Sequence, residues 1–172
     1  LEASATGYPV WTRSIGKYEV ECAQIPKDRL VQVLTTDMNY DPWGGNNDTT
    51  PIDWKAIKLK PKTTPFKPTT KNKWKMDELD LGKTCSSASG ARGVYLAEVR
   101  SDEIGPDANR GWLNPRRNRV LANVTDMGVL IKTGTSSGVV WVTSLATGAP
   151  IGGATVTVYT PQGKQVHTGV TT

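Results

Sequence analysis

The sequence predicts an all-β protein of two consecutive β-sandwich modules, the second cut short, and three observations predict it. Seventeen Gly and eleven Pro in 172 residues, with Thr and Val abundant, supply the turn formers and β-branched residues of short strands. Apolar residues recur at alternate positions in several short runs, the period of a half-buried strand. Asp102 to Arg117, with Gly105-Pro106, Asn114-Pro115 and Arg116-Arg117, is a stretch of punctuation and charge that reads as a connection between modules. The division expected is therefore a first sandwich over 1–101 with one short helix, a linker over 102–117, and the opening part of a second sandwich over 118–172.

The first module opens with a strand from Tyr8 to Ser14. From Lys17 to Ile25, Tyr18, Val20 and Cys22 alternate with Glu19, Glu21 and Ala23, so the first set is expected to face a core. Pro26-Lys27-Asp28 then opens a short helical stretch, because Pro is tolerated in a first turn and Leu30, Val31 and Leu34 share one helical face. This helix is expected to cover an open end of the sandwich. Asp37 to Thr50 is a polar, Gly-rich loop. Trp54 to Lys60 alternates apolar residues with lysine and predicts a half-exposed strand, Asn72 to Leu81 carries Trp74, Met76, Leu79 and Leu81, and Gly93 to Arg100 predicts the closing strand.

In the second module five strands are expected, over Arg119 to Thr125, Val129 to Lys132, Val139 to Ser144, Ala154 to Thr160 and Lys164 to Thr171. Turns are signalled by Gly134 to Gly138, Thr147-Gly148-Ala149-Pro150 and Pro161-Gln162-Gly163. A seven-stranded immunoglobulin-like sandwich takes roughly 100 residues. Only about half of that follows the linker, so the remaining strands are expected beyond Thr172, which otherwise leaves an edge and an apolar face uncovered.

The formal charge of +5 is concentrated, with eight lysines between Lys55 and Lys75 interleaved with Pro61, Pro65 and Pro68. Lysines beside Trp54, Phe66 and Trp74 raise the option of single-stranded nucleic acid. No nucleic-acid-binding signature accompanies them, so the expected reading is an exposed edge strand and loop whose lysines block edge-to-edge pairing. No apolar run approaches the roughly 20 residues of a membrane span. Leu1 to Gly7 has neither an initiator Met nor the core of a signal peptide, and the chain is expected to be part of a longer one. Cys22 and Cys85 are too far apart for a redox CxxC pair and too few, with the lone His167, for a zinc site. A structural disulfide and two buried free thiols both fit their spacing.

The candidate sites are few. Asp37, Asn39, Asp41 and Asp48 begin like a calcium loop, but Pro42 stands where such a loop needs Gly, and no metal is expected. One histidine, expected on an exposed strand, offers no nucleophile-and-base constellation. Asp77, Glu78, Asp80, Asp102 and Glu103 read as solvated loop charges. No Walker loop or GxGxxG turn precedes a helix, so neither a nucleotide cofactor nor an enzyme activity is expected. Of the six tryptophans, Trp11, Trp74 and Trp141 lie in apolar-patterned strands and are expected in the core. Trp43, Trp54 and Trp112 lie in or beside loops and are the candidate partner contacts.

Val124-Thr125-Asp126-Met127-Gly128 followed by Leu130 and Lys132, then Val140-Trp141-Val142-Thr143, Thr147-Gly148-x-Pro150 and Gly153-Ala154-x-Val156, form one continuous pattern. It resembles a macroglobulin-like domain of bacterial alpha-2-macroglobulins. The turn residues alone occur in other sandwiches; the preceding Thr-Asp-Met-Gly strand adds the specificity. Gly93 to Val99 is similar to the last strand of the family's preceding domain, and Pro9 to Leu34 to its opening strands. The resemblance implies a large periplasmic protein, often anchored to the inner membrane, that traps proteases cleaving its bait region and is associated with a peptidoglycan-synthesising penicillin-binding protein. Cys22 and Cys85 match no Cys-x-Glu-Gln thioester, so no functional residue carries over and the two modules are expected to be scaffold. Periplasmic residence favours a Cys22–Cys85 disulfide without establishing the pairing. The alternative is a sandwich module of an adhesin or polymer-binding surface protein, using Trp43, Trp54 or Trp112 and the lysine-rich segment.

Overall fold

A computed structural model describes residues 1–34, 51–68, 72–85, 92–105, 117–160 and 162–172. Its central element is a four-stranded antiparallel sheet in the order β3-β2-β5-β6, formed by β2 (Tyr18–Ile25), β3 (Lys62–Phe66), β5 (Gly93–Arg100) and β6 (Arg117–Val124). A second layer is the antiparallel ribbon of β1 (Gly7–Arg13) and β4 (Trp74–Asp80), in unbroken register from Gly7 opposite Asp80 to Arg13 opposite Trp74.

The sheet is apolar on both faces. Tyr18, Val20, Cys22, Tyr95, Ala97, Ala122 and Val124 form one cluster with Val10 and Leu79 of the ribbon, and with Leu81 and Cys85 of the short helix α2 (Leu81–Cys85). Ala23, Ile25 and Leu96 face the other way and meet Val33, Ile52, Ile57 and Leu59. The expected alternation of β2 holds for Tyr18, Val20 and Cys22, and fails at Ala23, which is buried because the opposite face is covered too. The helical stretch appears as a 3-10 turn at Lys27–Arg29 running into α1 (Leu30–Gln32). It lies against this second face, with Val33 as its fully buried anchor, rather than over an end of the sandwich.

Trp54 to Lys60 is a set of turns, not the strand expected. Asp53 Oδ1 accepts the Ala56 N–H at 2.9 Å, Leu59 N–H bonds to Trp54 O at 3.0 Å, and Lys58 has φ of 53°. An aspartate bonding a backbone N–H three residues on is the local competitor of an extended ladder. The edge position of β3, with Lys62 and Pro65 on it, agrees with the lysine-blocked edge read from the sequence.

Residues 119–125, expected as the first strand of the second module, pair instead with the first. All eight residues of β6 are matched to β5, from Arg117 opposite Arg100 to Val124 opposite Gly93. Ala122 and Val124 complete the first core, so this module runs past Ser101 and closes at Val124. Of the expected linker, 106–116 lies outside the described residues. Two hairpins follow: β7 (Met127–Thr133) with β8 (Gly138–Ser144), and β9 (Thr155–Tyr159) with β10 (Gln165–Val170). The predicted turns are in place, with φ of 70°, 79° and 78° at Gly148, Gly153 and Gly163, values that suit glycine.

Candidate functional site

Three arrangements of side chains emerge. The first is a charge grid on the second face of the sheet. Register places Glu19, Arg100 and Arg117 in one row across β2, β5 and β6, and Glu21, Glu98 and Arg119 in the next. Glu98 is fully buried. Its Oε1 pairs with Arg117 Nη1, and its Oε2 accepts the Ile52 N–H at 3.0 Å and lies 3.8 Å from Arg119 Nε. Arg100 Nη2 lies 3.1 Å from both Glu19 and Glu21 carboxylates. Hydrogen bonds from Lys17 and Arg100 hold the Glu19 carboxyl below its ordinary range. Two carboxylates directly opposite each other, Glu21 and Glu98, are tolerated because each row supplies arginine. No local pattern along the chain signals this grid, whose members are far apart in sequence.

The second arrangement is the disulfide between Cys22, deep in β2, and Cys85, at the end of α2, with Cα atoms 5.1 Å apart. Asp80 starts α2 as its cap, accepting the Lys83 N–H at 3.1 Å and the Thr6 hydroxyl at 2.9 Å. The Lys83 backbone bond, with Thr6 and the Lys83 ammonium adding to it, lowers the Asp80 carboxyl pKa against the opposing effect of desolvation. Asp77 accepts the buried Tyr18 hydroxyl at 3.2 Å, joining the two layers. Burial first, and the Asp77 carboxylate second, push the Tyr18 phenol well up. Asp77 and Asp80 are thus bonded strand residues, not the loop charges expected, while Glu103 accepts the Gly16 N–H at 2.7 Å.

The third arrangement is aromatic and corrects the sequence reading. Trp11, Trp74 and Trp141, expected in the core, are 61%, 63% and 52% exposed. Alternation identifies two faces of a strand but not which one meets another layer. In β1 the buried positions are Val10 and Thr12, leaving Trp11 beside Met76 on the outer face of the ribbon. In β8 they are Val140 and Val142, half-buried and buried, which turns Trp141 outward opposite Leu130. Trp54, expected as a partner contact, is half-buried instead: its indole N–H donates to Glu21 at 3.0 Å and its ring packs on the second core. Trp43 and Trp112 lie outside the described residues, as does the Asp37–Asp48 loop. His167 is exposed on β10. Among the described residues no group of three or more His, Cys, Asp or Glu is placed to hold a metal.

Comparison with known proteins bears on residues 124–172, which match the family model of the bacterial alpha-2-macroglobulin MG3 domain. That match begins where β6 ends, at the module boundary set by strand pairing. Native alpha-2-macroglobulin from Escherichia coli, in a crystal structure spanning domains MG0-NIE-MG1, superposes with a TM-score of 0.62 at 18% identity, over 96% of this chain and 48% of that one. A second structure of that protein, spanning domains NIE-MG1, gives a TM-score of 0.64 at 17% identity, over 95% and 73%. The chain thus spans about half the length of the first of these structures. No curated protein sequence matches. At such identities the structural likeness is one of fold, and the domain label comes from the sequence match. The chain resembles the bacterial alpha-2-macroglobulin family on both counts, by sequence over residues 124–172 and by macroglobulin-like sandwich fold over nearly its whole length.

Proposed function

We propose that the chain is a non-catalytic scaffold of a bacterial alpha-2-macroglobulin-like protein that inhibits proteases by enclosing them in the periplasm. The observation that carries this reading is the MG3 match over residues 124–172, joined to the fold likeness across the first module. In such a protein these modules hold other domains at fixed distances, and the enclosed protease is the partner of the whole assembly. The interlocked architecture of the first module suits a spacer of this kind, since a disulfide, a buried Glu98–arginine cluster and cores on both faces of one sheet all resist local opening. A disulfide also suits an oxidising compartment such as the periplasm. Contact with a penicillin-binding protein that makes peptidoglycan belongs to the same proposal.

Protease challenge of the full-length protein is the test. The expected result is cleavage at one exposed segment, with the protease's activity on large protein substrates lost and its activity on small peptide substrates retained. Scattered cleavage with both activities intact would sink the trapping proposal.

A further inference from the structure

The lysine-rich segment does more than protect an edge. It forms one wall of an open cleft of about 910 Å³ at the end of the four-stranded sheet, between the end of β2, the 3-10 turn, the chain from Lys58 to Lys62 and the start of β5. Lys27, Lys58, Lys60, Lys62 and Arg92 line it, and none of the described lining residues is acidic. Among the described residues only Arg92 of the five has an ion-pair partner, Asp126, while Lys62 donates to the Lys83 carbonyl. The other three side chains are exposed cations without a described counter-charge. Between them lie partly buried apolar groups, Leu30 and Val94.

We propose that this cleft binds an extended acidic peptide segment of a partner protein, with carboxylates on the lysines and an intervening apolar side chain against the floor. Charge complementarity carries the sign. Lys60 and Lys62 are two residues apart, and in an extended peptide alternate side chains repeat at about 6.7 Å, so carboxylates at every second position meet them in step. A nucleic acid is less well served, because among the described residues no aromatic lines the cleft for base stacking: Trp54 is bonded to Glu21, and Phe66 is stacked on Tyr18 at 4.9 Å. A lipid chain is not served either, since Ala23, Ile25 and Leu59 are already buried in the core and leave no deep apolar channel. This site is independent of the protease-trapping proposal.

The test is fluorescence anisotropy of the 172-residue chain with a labelled octapeptide, Gly-Glu-Leu-Glu-Gly-Glu-Leu-Glu, with labelled oligothymidine and anionic phosphatidylglycerol vesicles as competing probes. Saturable peptide binding that weakens with salt is expected. Lys58→Glu, Lys60→Glu and Lys62→Glu together should reduce it roughly tenfold or more, as three exposed pairs become repulsive. A variant with Lys73→Glu, Lys132→Glu and Lys164→Glu has the same net charge and should bind as the unaltered chain does; circular dichroism verifies that both fold. The proposal is overturned by absent or non-saturable peptide binding, by equal losses in the two variants, or by stronger binding of oligothymidine or vesicles than of the peptide.

Discussion

At Glu98 the chain has placed a carboxylate where no water reaches it, and its surroundings answer with Arg117, Arg119 and the Ile52 N–H. Breaking a buried ionic cluster by removing one member costs far more than the cluster's net contribution, because charge is left in low dielectric. Glu98→Ala should therefore lower the unfolding free energy by about 3–5 kcal/mol in urea denaturation, and Glu98→Gln, which keeps an acceptor for Ile52, by less. A loss within experimental error for Glu98→Ala would mean that the arginines find other partners. This residue was illegible in the sequence: Glu98 sits in a run, Gly93 to Arg100, whose pattern was readable only as a strand. Its partners lie 19 positions later and 46 earlier, and nothing local announces them. The tryptophans failed for a related reason. Their hydrophobicity was plain, but the layer that decides which side of Trp11 or Trp141 is covered belongs to other elements.

Helix α2 has only five residues and depends on its ends, Asp80 at the start and the Cys85 disulfide at the finish. Asp80→Ala removes a cap worth about 0.5–2 kcal/mol, measurable by urea denaturation near neutral pH. The Asp80 carboxyl is held below its ordinary range in the folded protein. Its contribution is thus fully present above the unfolded value near pH 4 and is lost as pH falls through the lower folded value. The stability gap between the unaltered chain and Asp80→Ala should accordingly shrink below about pH 4; a gap constant down to pH 2 would contradict the assignment. At the other end, the cross-link spans 63 positions, and loop-closure entropy gives about 4 kcal/mol for a loop of this size. Cys22→Ser with Cys85→Ser should lower the denaturation midpoint to match, and a non-reducing against reducing gel shows whether the bond forms. Strands were the legible elements. The expected runs in 119–171 fall on β6 to β10 within a few residues, because two-residue periodicity and the turn glycines point the same way there. The 54–60 segment misled because apolar residues interspersed with lysines imitate a half-exposed strand while Asp53 winds the backbone into turns.

Taken whole, the molecule is one closed sandwich followed by two open hairpins. A shortened chain ending at Ser101 lacks β6, the edge that buries Ala122 and Val124 and supplies Glu98 with its arginines. It should fail to give a cooperative urea transition, whereas residues 1–126 should unfold cooperatively; two equally cooperative chains would restore the boundary at 101. Beyond that point Val142 is the sole described apolar residue less than one-tenth exposed, and Val129, Leu130 and Ile131 are each more than half exposed. Apolar faces of that extent drive association. Light scattering of the 172-residue chain should show a mass that rises with concentration, and residues 1–126 should remain monomeric. The strand at 117–124 was legible but its partner was not, since a strand's pattern does not say which neighbour it pairs with. The joint itself has a mechanical meaning. Only Thr125 and Asp126 separate β6 from β7, so a pull on the second module is delivered straight into β6. That strand is held along its whole length by eight matched residue pairs with β5. Tension arriving from the C-terminal side is thereby handed to an edge strand of the first sheet, not to a slack tether.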